Sequence, residues 1–148
     1  LTFFAEGKLK FKESFNIGTI RLLKGLVEEK QWDEMKDYIK LGTKGHSDVI
    51  AIGSGGNINK VFSLSKRKEG KPLYLEMLRD YLREMSSFSV EERMKQYKLR
   101  EDRADVIVPA LQIYVNVMRW ASIDEIYVPK IGLADGLVHM LYEEVKAK

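Results

Sequence analysis

A short apolar run that leads directly into three glycines is the feature that most constrains this fold. Asp48-Val49-Ile50-Ala51-Ile52 follows a polar turn, and its last four residues are apolar and mostly β-branched. Such a run is typical of a strand buried on both faces, as in a parallel sheet. Gly53-Ser54-Gly55-Gly56 comes next. Because ligand sites in α/β sheets lie at the carboxyl ends of strands, we expect a functional site at these glycines.

The residues before this run predict a hairpin and two helices. Apolar and polar residues alternate from Leu1 to Phe15, and Glu6-Gly7-Lys8 interrupts them as a tight turn, which indicates a β-hairpin. From Gly18 to Val27 apolar residues recur at helical spacing. A second amphipathic stretch, Gln31 to Leu41, predicts a helix that ends at Gly42.

The residues after the glycines predict mainly helices. Asn57 is a candidate N-cap for a helix from Ile58 to Leu64, and a charged loop, Lys66 to Lys71, follows it. Further helices are expected at Leu75–Met85 and, from a Ser89–Glu92 capping box, through Tyr97.

The last third of the chain predicts a long helix, a strand and a final helix. The long helix begins near Arg103 and ends near Ala121, with a kink or a late start at Pro109. Ile123–Val128 reads as a strand, and Gly132–Val145 as an amphipathic helix. The order of elements predicts an α/β fold, a mixed sheet with flanking helices and at least one parallel pair.

Length and composition place limits on function. The 148 residues, 45% hydrophobic, suit one globular domain, and the absence of cysteine excludes disulfides, thiolate metal sites and cysteine nucleophiles. A net charge of +3 does not indicate nucleic-acid binding. The sequence shows no apolar run of the roughly 20 residues that cross a bilayer and no cleavable leader, so we expect a cytoplasmic protein. Leu1 lies inside a predicted strand, which suggests a fragment.

Phosphate is the ligand that the glycine segment favours. Glycines allow close backbone approach, and free N–H groups at a helix start attract anions. The candidate phosphate- or nucleotide-binding residues are Gly53, Ser54, Gly55, Gly56, Asn57, Arg21 and Lys60. Arg21 follows Gly18 by three residues, where a guanidinium can donate two hydrogen bonds to a phosphate. The simpler alternatives are a plain strand-to-helix turn, a solvated lysine and a surface arginine.

Other polar residues point to structural roles. His46 and His139 have no neighbouring metal ligands in the sequence. Arg103 and Asp105 are expected to pair with each other or to cap a helix, and Asp124-Glu125 to lie on the surface. No nucleophile with a neighbouring base can be assembled, so we assign no catalytic residue and no metal ligand to this chain.

Four segments, in order along the chain, resemble the Ppx/GppA family of exopolyphosphatases and guanosine pentaphosphate phosphohydrolases. Ser14-Phe15-Asn16-Ile17-Gly18-Thr19-Ile20-Arg21-Leu22 is similar to Ser-Leu-Pro-Leu-Gly-x-Val-Arg-Leu, and Gly53-Ser54-Gly55-Gly56-Asn57-Ile58 to Gly-Thr-Gly-Gly-Thr-Ile. Arg103-Ala104-Asp105-Val106-Ile107 matches the family pattern outright, and Gly132-Leu133-Ala134-Asp135-Gly136 is similar to Gly-Leu-Arg-Glu-Gly. The chain departs from the pattern at Asn16, Asn57, Ala134 and Asp135, and Asn57 replaces a threonine whose hydroxyl would face the ligand.

The resemblance implies an actin-like (ribonuclease H-like) fold and a single partial domain, residues 1–148, from the second domain of such a phosphatase. The family's general base, a glutamate, lies in its first domain, and the aspartate of Asp-Ile-Gly-Gly-Gly-Ser helps to hold Mg²⁺; by this alignment both precede Leu1. The first strand of the domain is then also missing, between the hairpin and the strand that ends at Ile52. We expect another chain, oligomerisation or rearranged pairing to replace it, because unpaired buried strand edges are costly.

The resemblance also implies a function. The parent protein would hydrolyse terminal phosphate from polyphosphate or guanosine pentaphosphate with Mg²⁺, and this chain alone would be inactive. Expected partners are polyphosphate or a guanosine penta- or tetraphosphate, the missing first domain and a second copy in a homodimer, with no membrane and no specific nucleic acid. The alternatives are a non-catalytic module that senses a phosphorylated ligand or binds proteins, and a sugar-kinase-like ATP-binding domain.

Overall fold

The predicted hairpin is present at the start of the chain. A computed structural model describes residues 1–147, in which strands β1 (Thr2–Ala5) and β2 (Lys8–Lys12) pair antiparallel. The residues between them, Glu6 and Gly7, have φ values of 54° and 70°. Two successive left-handed residues are the geometry of the two-residue turns that match strand twist.

The two helices that follow differ in length from the prediction. Helix α1 (Thr19–Leu23) is short, because the chain turns at Gly25, whose φ is 64°. Helix α2 (Glu29–Thr43) continues through Gly42, so the predicted end at this residue was wrong. A Cβ on Gly42 would collide with the ring of Phe11. This glycine therefore makes room for an aromatic ring from β2 and does not end the helix.

The middle of the chain alternates short strands with helices. Its elements are β3 (Ala51–Ile52), α3 (Gly56–Leu64), β4 (Leu73–Tyr74), α4 (Leu75–Ser86) and α5 (Val90–Tyr97). Strand β3 forms a ladder over only two of the five predicted residues, and β4 was not predicted. The Ser89–Glu92 capping box is present: Ser89 Oγ accepts from the Glu92 N–H at 3.2 Å, and the Glu92 carboxylate accepts from the Ser89 N–H at 2.7 Å.

The predicted long helix is interrupted before Pro109. Helix α6 (Glu101–Ala104) is separated from α7 (Ile107–Trp120) at Asp105 and Val106. Pro109 lies in the first turn of α7, where its missing N–H costs nothing, so the late start is confirmed. Strand β5 (Glu125–Tyr127) and helix α8 (Leu133–Lys146) complete the chain.

A mixed three-stranded sheet of order β3-β5-β4 lies beside the glycine segment. Strand β5 pairs parallel with β3 and antiparallel with β4, and Ile126 lies opposite both Ala51 and Leu73. The prediction of a mixed α/β fold with a parallel pair is confirmed. Helix α7 contacts α1, α2, α3 and α4, and a single apolar cluster joins the helices to the sheet. Its fully buried members include Ile58, Leu73, Leu78, Ile107, Leu111 and Ile126.

The hairpin forms a sheet of its own. Among residues 1–147, β1 pairs only with β2, and β3 pairs only with β5. Phe11 of β2 stacks on Phe3 and meets the edge of the Tyr38 ring, with centroids 5.0 and 5.2 Å apart, so the hairpin packs on α2. Within residues 1–147, rearranged pairing of β1 with β3 does not occur. The expectation that another chain supplies a further strand stays a prediction.

Helix α8 differs from the others because all its described side chains are exposed. Its amphipathic character agrees with the sequence prediction. Across residues 1–147, no helix has both the length and the apolar character that crossing a membrane requires.

Candidate functional site

Gly53–Gly55 connects β3 to α3, which begins at Gly56, and two contacts fix the shape of this connection. The Gly53 N–H donates to the Tyr127 carbonyl at 2.8 Å, which continues the parallel pairing with β5. The Tyr114 hydroxyl of α7 donates to the Ser54 carbonyl at 3.0 Å. Burial raises the pKa of Tyr114 above its usual value, so this hydroxyl keeps its proton well beyond neutral pH. The loop is thus tied to the sheet on one side and to the central helix on the other.

The start of α3 presents free backbone donors to solvent. Gly55, with φ 109°, precedes the helix and supplies no side-chain cap, and Ser54, Gly55 and Gly56 are all exposed. The first N–H groups of a helix have no carbonyl one turn earlier to accept from them, and the helix dipole adds partial positive charge there. The arrangement favours an anion, and the binding of phosphate there stays a prediction.

Arg103 is the side chain that converts this loop into a cationic site. Its guanidinium lies directly over Gly56, where even a methyl group on Gly56 would collide with it. Nη1 of Arg103 also donates to Oδ1 of Asn57 at 3.3 Å. The expected pairing of Arg103 with Asp105 does not occur, because the side chain reaches back 46 residues to the glycine loop.

A second arginine positions the helix that carries Arg103. Nε of Arg93, on α5, donates to the Met85 carbonyl at 2.7 Å, and Nη1 donates to the Ala104 carbonyl at 3.0 Å. Arg93 thereby joins the end of α4 to the end of α6. Since Ala104 adjoins Arg103, these two bonds help to fix where the Arg103 guanidinium can lie.

Asn57 does not have its predicted role. It is the second residue of α3, and the N-cap position belongs to Gly55. Its side-chain oxygen is instead an acceptor for Arg103.

A cleft of about 370 Å³ opens beside this loop, with a strongly basic lining. The side chains and glycine that line it are Gly56, Asn59, Lys60, Ser63, Lys98, Leu99, Arg100 and Arg103. Four of these are cationic, and no carboxylate is among them, although Arg100 also pairs with Asp102 at 2.8 Å. Lys60 therefore lies at the predicted site, and Lys98 and Arg100 extend it beyond the residues that the sequence singled out.

Arg21 was predicted to donate to a phosphate, but its guanidinium bonds to backbone carbonyls of its own turn. Its Nε donates to the Asn16 carbonyl at 2.9 Å and its Nη2 to the Leu26 carbonyl at 3.1 Å. Gln31 donates to the same Asn16 carbonyl at 3.1 Å. These contacts brace the turn around α1. Arg21 does not line the basic cleft beside Gly56.

The described residues contain no metal-binding cluster. In residues 1–147, no group of three or more His, Asp or Glu side chains lies close enough together to hold an ion. His46 packs against the Phe3 ring with centroids 4.9 Å apart, and His139 is exposed on α8. Among residues 1–147 no set of side chains fits the Mg²⁺ ion that the resemblance implies, and the place of that ion stays a prediction.

Comparison with solved structures relates the fold to known proteins. The chain is similar to the Aquifex aeolicus member of the Ppx/GppA protein family, with 20% identity and a TM-score of 0.73 over 97% of this chain and 52% of that one. It is similar to an exopolyphosphatase from Cytophaga hutchinsonii, with 18% identity and a TM-score of 0.71 over 94% of this chain and 52% of that one. It is also similar to an exopolyphosphatase-like protein, with 20% identity and a TM-score of 0.68 over 94% of this chain and 52% of that one.

These likenesses establish the fold. The α/β architecture is that of about half of each matched chain, as the motif resemblance implied, and this chain spans about half the length of the structures it matches. No protein-family model and no curated protein matches the sequence.

Proposed function

We propose that this chain is part of a Ppx/GppA-type phosphohydrolase that removes terminal phosphate from inorganic polyphosphate or from guanosine pentaphosphate. In this proposal the loop Gly53–Asn57 holds a phosphate group of the substrate. Arg103 supplies a bidentate guanidinium and Lys60 a point charge. The chain contributes binding and orientation of the polyanion, and the groups that activate water and hold Mg²⁺ come from outside it.

The observation that carries the proposal is the placement of Arg103 over Gly56. A helix start alone is a weak anion site, whereas here a fixed guanidinium adjoins it and three further cations line the same cleft. Positioned donors and cations of this kind supply most of the catalysis in phosphoryl transfer, because they stabilise charge on the equatorial oxygens. The fold likeness to exopolyphosphatase structures supports polyphosphate as the polyanion.

Binding to the 148-residue chain tests this proposal. We expect long-chain polyphosphate to bind in a calorimetric titration, and to bind more weakly as salt rises because the contacts are ionic. If guanosine pentaphosphate competes with polyphosphate for the same site, the site also accepts this nucleotide. ATP that binds while polyphosphate does not would favour the sugar-kinase-like alternative and contradict the proposal.

Catalysis is assigned to the longer protein. We expect the 148-residue chain with Mg²⁺ to release no phosphate from polyphosphate, because no catalytic residue was found in it. Turnover by this chain would contradict that assignment while leaving the binding site intact. A protein that binds polyphosphate through this loop, yet lacks activity even in its longer form, would be the non-catalytic ligand-sensing module.

A further inference from the structure

A second basic cavity, of about 650 Å³, lies beside the edge strand β4. The loop between α3 and β4, residues 66–71, forms much of its lining, which comprises Lys66, Arg67, Lys68, Gly70, Lys71, Pro72, Tyr74, Glu125 and Tyr127. Four of these residues are cationic and only Glu125 is acidic. Among residues 1–147, none of the four cations forms an ion pair. The cavity therefore concentrates positive charge that the described part of the protein leaves unpaired.

Arg67 differs from every other arginine of the chain. Its guanidinium carbon lies 4.9 Å from the centre of the Tyr74 ring, and its Nε is buried without a hydrogen-bond acceptor among residues 1–147. The seven other arginines all hydrogen-bond to or pair with described groups. A buried donor without an acceptor is costly, so the unpaired Nε indicates that this cavity holds an acceptor.

The backbone of the loop holds its cations close together. Ser65 Oγ donates to the Phe62 carbonyl at 2.7 Å and accepts from the Arg67 N–H at 3.3 Å. Further along the loop, the Lys71 N–H donates to the Lys68 carbonyl at 3.1 Å. A site that is ordered before its ligand arrives loses less conformational entropy on binding. These bonds therefore prepare the loop for an anion in spite of the repulsion between its cations.

The loop reaches the same edge of the sheet as the glycine segment. Leu73 pairs with Ile126 of β5, so the chain enters β4 beside Tyr127. On the other side of β5, Ile52 pairs with Tyr127, and the Gly53 N–H donates to the Tyr127 carbonyl. Neighbouring strands are about 4.8 Å apart, so the end of β3 and the start of β4 are separated by about 10 Å across β5. One linear polyanion can therefore reach both cationic regions.

We propose that the loop of residues 66–71 is a second binding site for linear polyphosphate. The inference rests on the proposed function: when the glycine segment holds the end of a chain, the same chain crosses the carboxyl end of β5, and the loop binds its internal phosphates. The lysines contribute point charges, and Arg67 contributes its unpaired N–H. Long chains are then bound more tightly than guanosine pentaphosphate or tripolyphosphate, which engage the glycine segment alone.

The lining favours polyphosphate over single-stranded nucleic acid. Sites for single strands stack bases on exposed aromatic rings. Here the Arg67 guanidinium already covers one face of the Tyr74 ring, which leaves less aromatic surface for a base. What the cavity offers instead are cations and tyrosine hydroxyls, and these groups recognise phosphate oxygens.

Neutralising the loop tests this inference. The loop variant removes three positive charges from the cavity and is Lys66→Gln/Arg67→Gln/Lys68→Gln. Its matched control removes three charges from exposed positions of β2 and α2 and is Lys8→Gln/Lys12→Gln/Lys40→Gln. Long-chain polyphosphate and tripolyphosphate are titrated into the 148-residue chain and into each variant by calorimetry at several salt concentrations. If the loop variant does not fold, Lys68→Gln/Lys71→Gln changes two exposed side chains of the same cavity and gives the same comparison.

The expected loss is specific to long chains. We expect the loop variant to bind long-chain polyphosphate about tenfold or more weakly than the original chain. The slope of log affinity against log salt concentration should also fall by about two to three, because three cations no longer contact phosphates. Tripolyphosphate affinity should change by less than about twofold, since three phosphates do not extend over the roughly 10 Å between the two regions. The control should match the original chain in both titrations.

Unchanged long-chain affinity in the loop variant, or an equal loss in the control, would overturn the inference. So would a single-stranded oligonucleotide that the original chain binds more tightly than polyphosphate and that loses affinity in the loop variant, because the loop would then bind nucleic acid. A failure of the proposed function has a different signature. If Arg103→Gln leaves the affinity for both polyphosphates unchanged while the loop variant still loses long-chain affinity, the glycine site is contradicted and the loop site stands.

Discussion

Two regions of this chain were expected to contact phosphate, and the structure builds them in opposite ways. At the loop Gly53–Asn57, a guanidinium from a distant helix lies over the backbone and a basic cleft opens beside it. At the α1 turn, Arg21 donates from Nε to the Asn16 carbonyl and from Nη2 to the Leu26 carbonyl, five residues before and after it. The two arginines thus differ in what accepts their hydrogen bonds: Arg21 bonds to backbone carbonyls of its own turn, whereas Arg103 bonds to a side chain beside the cleft.

The largest expected difference between the two regions is in polyphosphate affinity when each arginine is neutralised in turn. Arg103→Gln should weaken polyphosphate binding by about 10- to 100-fold, because charge-assisted hydrogen bonds contribute about 1.5–3 kcal/mol. Arg21→Gln removes the same unit of charge and should change the affinity by less than about twofold. Its effect should instead be on stability, a loss of about 1 kcal/mol from the two carbonyl contacts. Titration calorimetry and urea unfolding measure the two quantities, and equal losses of affinity would erase the distinction between the regions.

A methyl group on Gly56 should separate binding from folding. Gly56→Ala places a Cβ where the Arg103 guanidinium lies, and the flexible arginine moves aside. We expect polyphosphate affinity to fall about tenfold, with the free energy of unfolding changed by less than about 1 kcal/mol.

Gly136→Ala on α8 is the matched control for Gly56→Ala. A Cβ there meets no described atom within 4 Å. It should leave binding unchanged and raise stability slightly, because alanine is the better helix former. Unchanged polyphosphate binding in Gly56→Ala would show that Arg103 does not need its position over the loop.

The smallest expected effect concerns the attachment of the loop to α7. Tyr114→Phe removes the hydroxyl that donates to the Ser54 carbonyl and should cost about 1 kcal/mol of stability. Burial raises the pKa of Tyr114 above its usual value of 10.0, so its contribution is complete below pH 10 and is lost as the pH rises through the raised pKa. Unfolding measured from pH 8 upward should show this loss in the original chain and not in Tyr114→Phe.

Much of the fold was readable from local sequence. Glu6-Gly7 predicts a turn, Ser89 with Glu92 predicts a capped helix, and the apolar run before Gly53 predicts a strand, because each pattern acts within a few residues. β4 was missed because a two-residue strand leaves no periodicity. The end of α2 was misplaced because the reason for Gly42 is the Phe11 ring, which is distant in sequence.

Only part of the candidate site could be predicted from the sequence, because its other residues are distant along the chain. Its glycines are contiguous and mark the backbone cradle, whereas Arg103 comes from 46 residues away and Tyr114 from 60 residues away. The one indication for Arg103 was its place in the segment Arg103–Ile107, which matches the family pattern. Lys98 and Arg100, which lie in the link between α5 and α6, carried no pattern at all, since only tertiary packing brings them to the cleft.

A single NMR titration of the 148-residue chain with long-chain polyphosphate compares the two regions most directly. Backbone amide resonances report on Gly55, Gly56 and Asn57, and the side-chain Nε–H resonances report on Arg103 and Arg21. We expect saturable shifts at the glycine loop and at Arg103 Nε–H, with Arg21 Nε–H and the Gly18 amide unmoved. Shifts concentrated at Gly18 and Arg21, or spread evenly over the lysines of the surface, would contradict a phosphate site at the glycine loop.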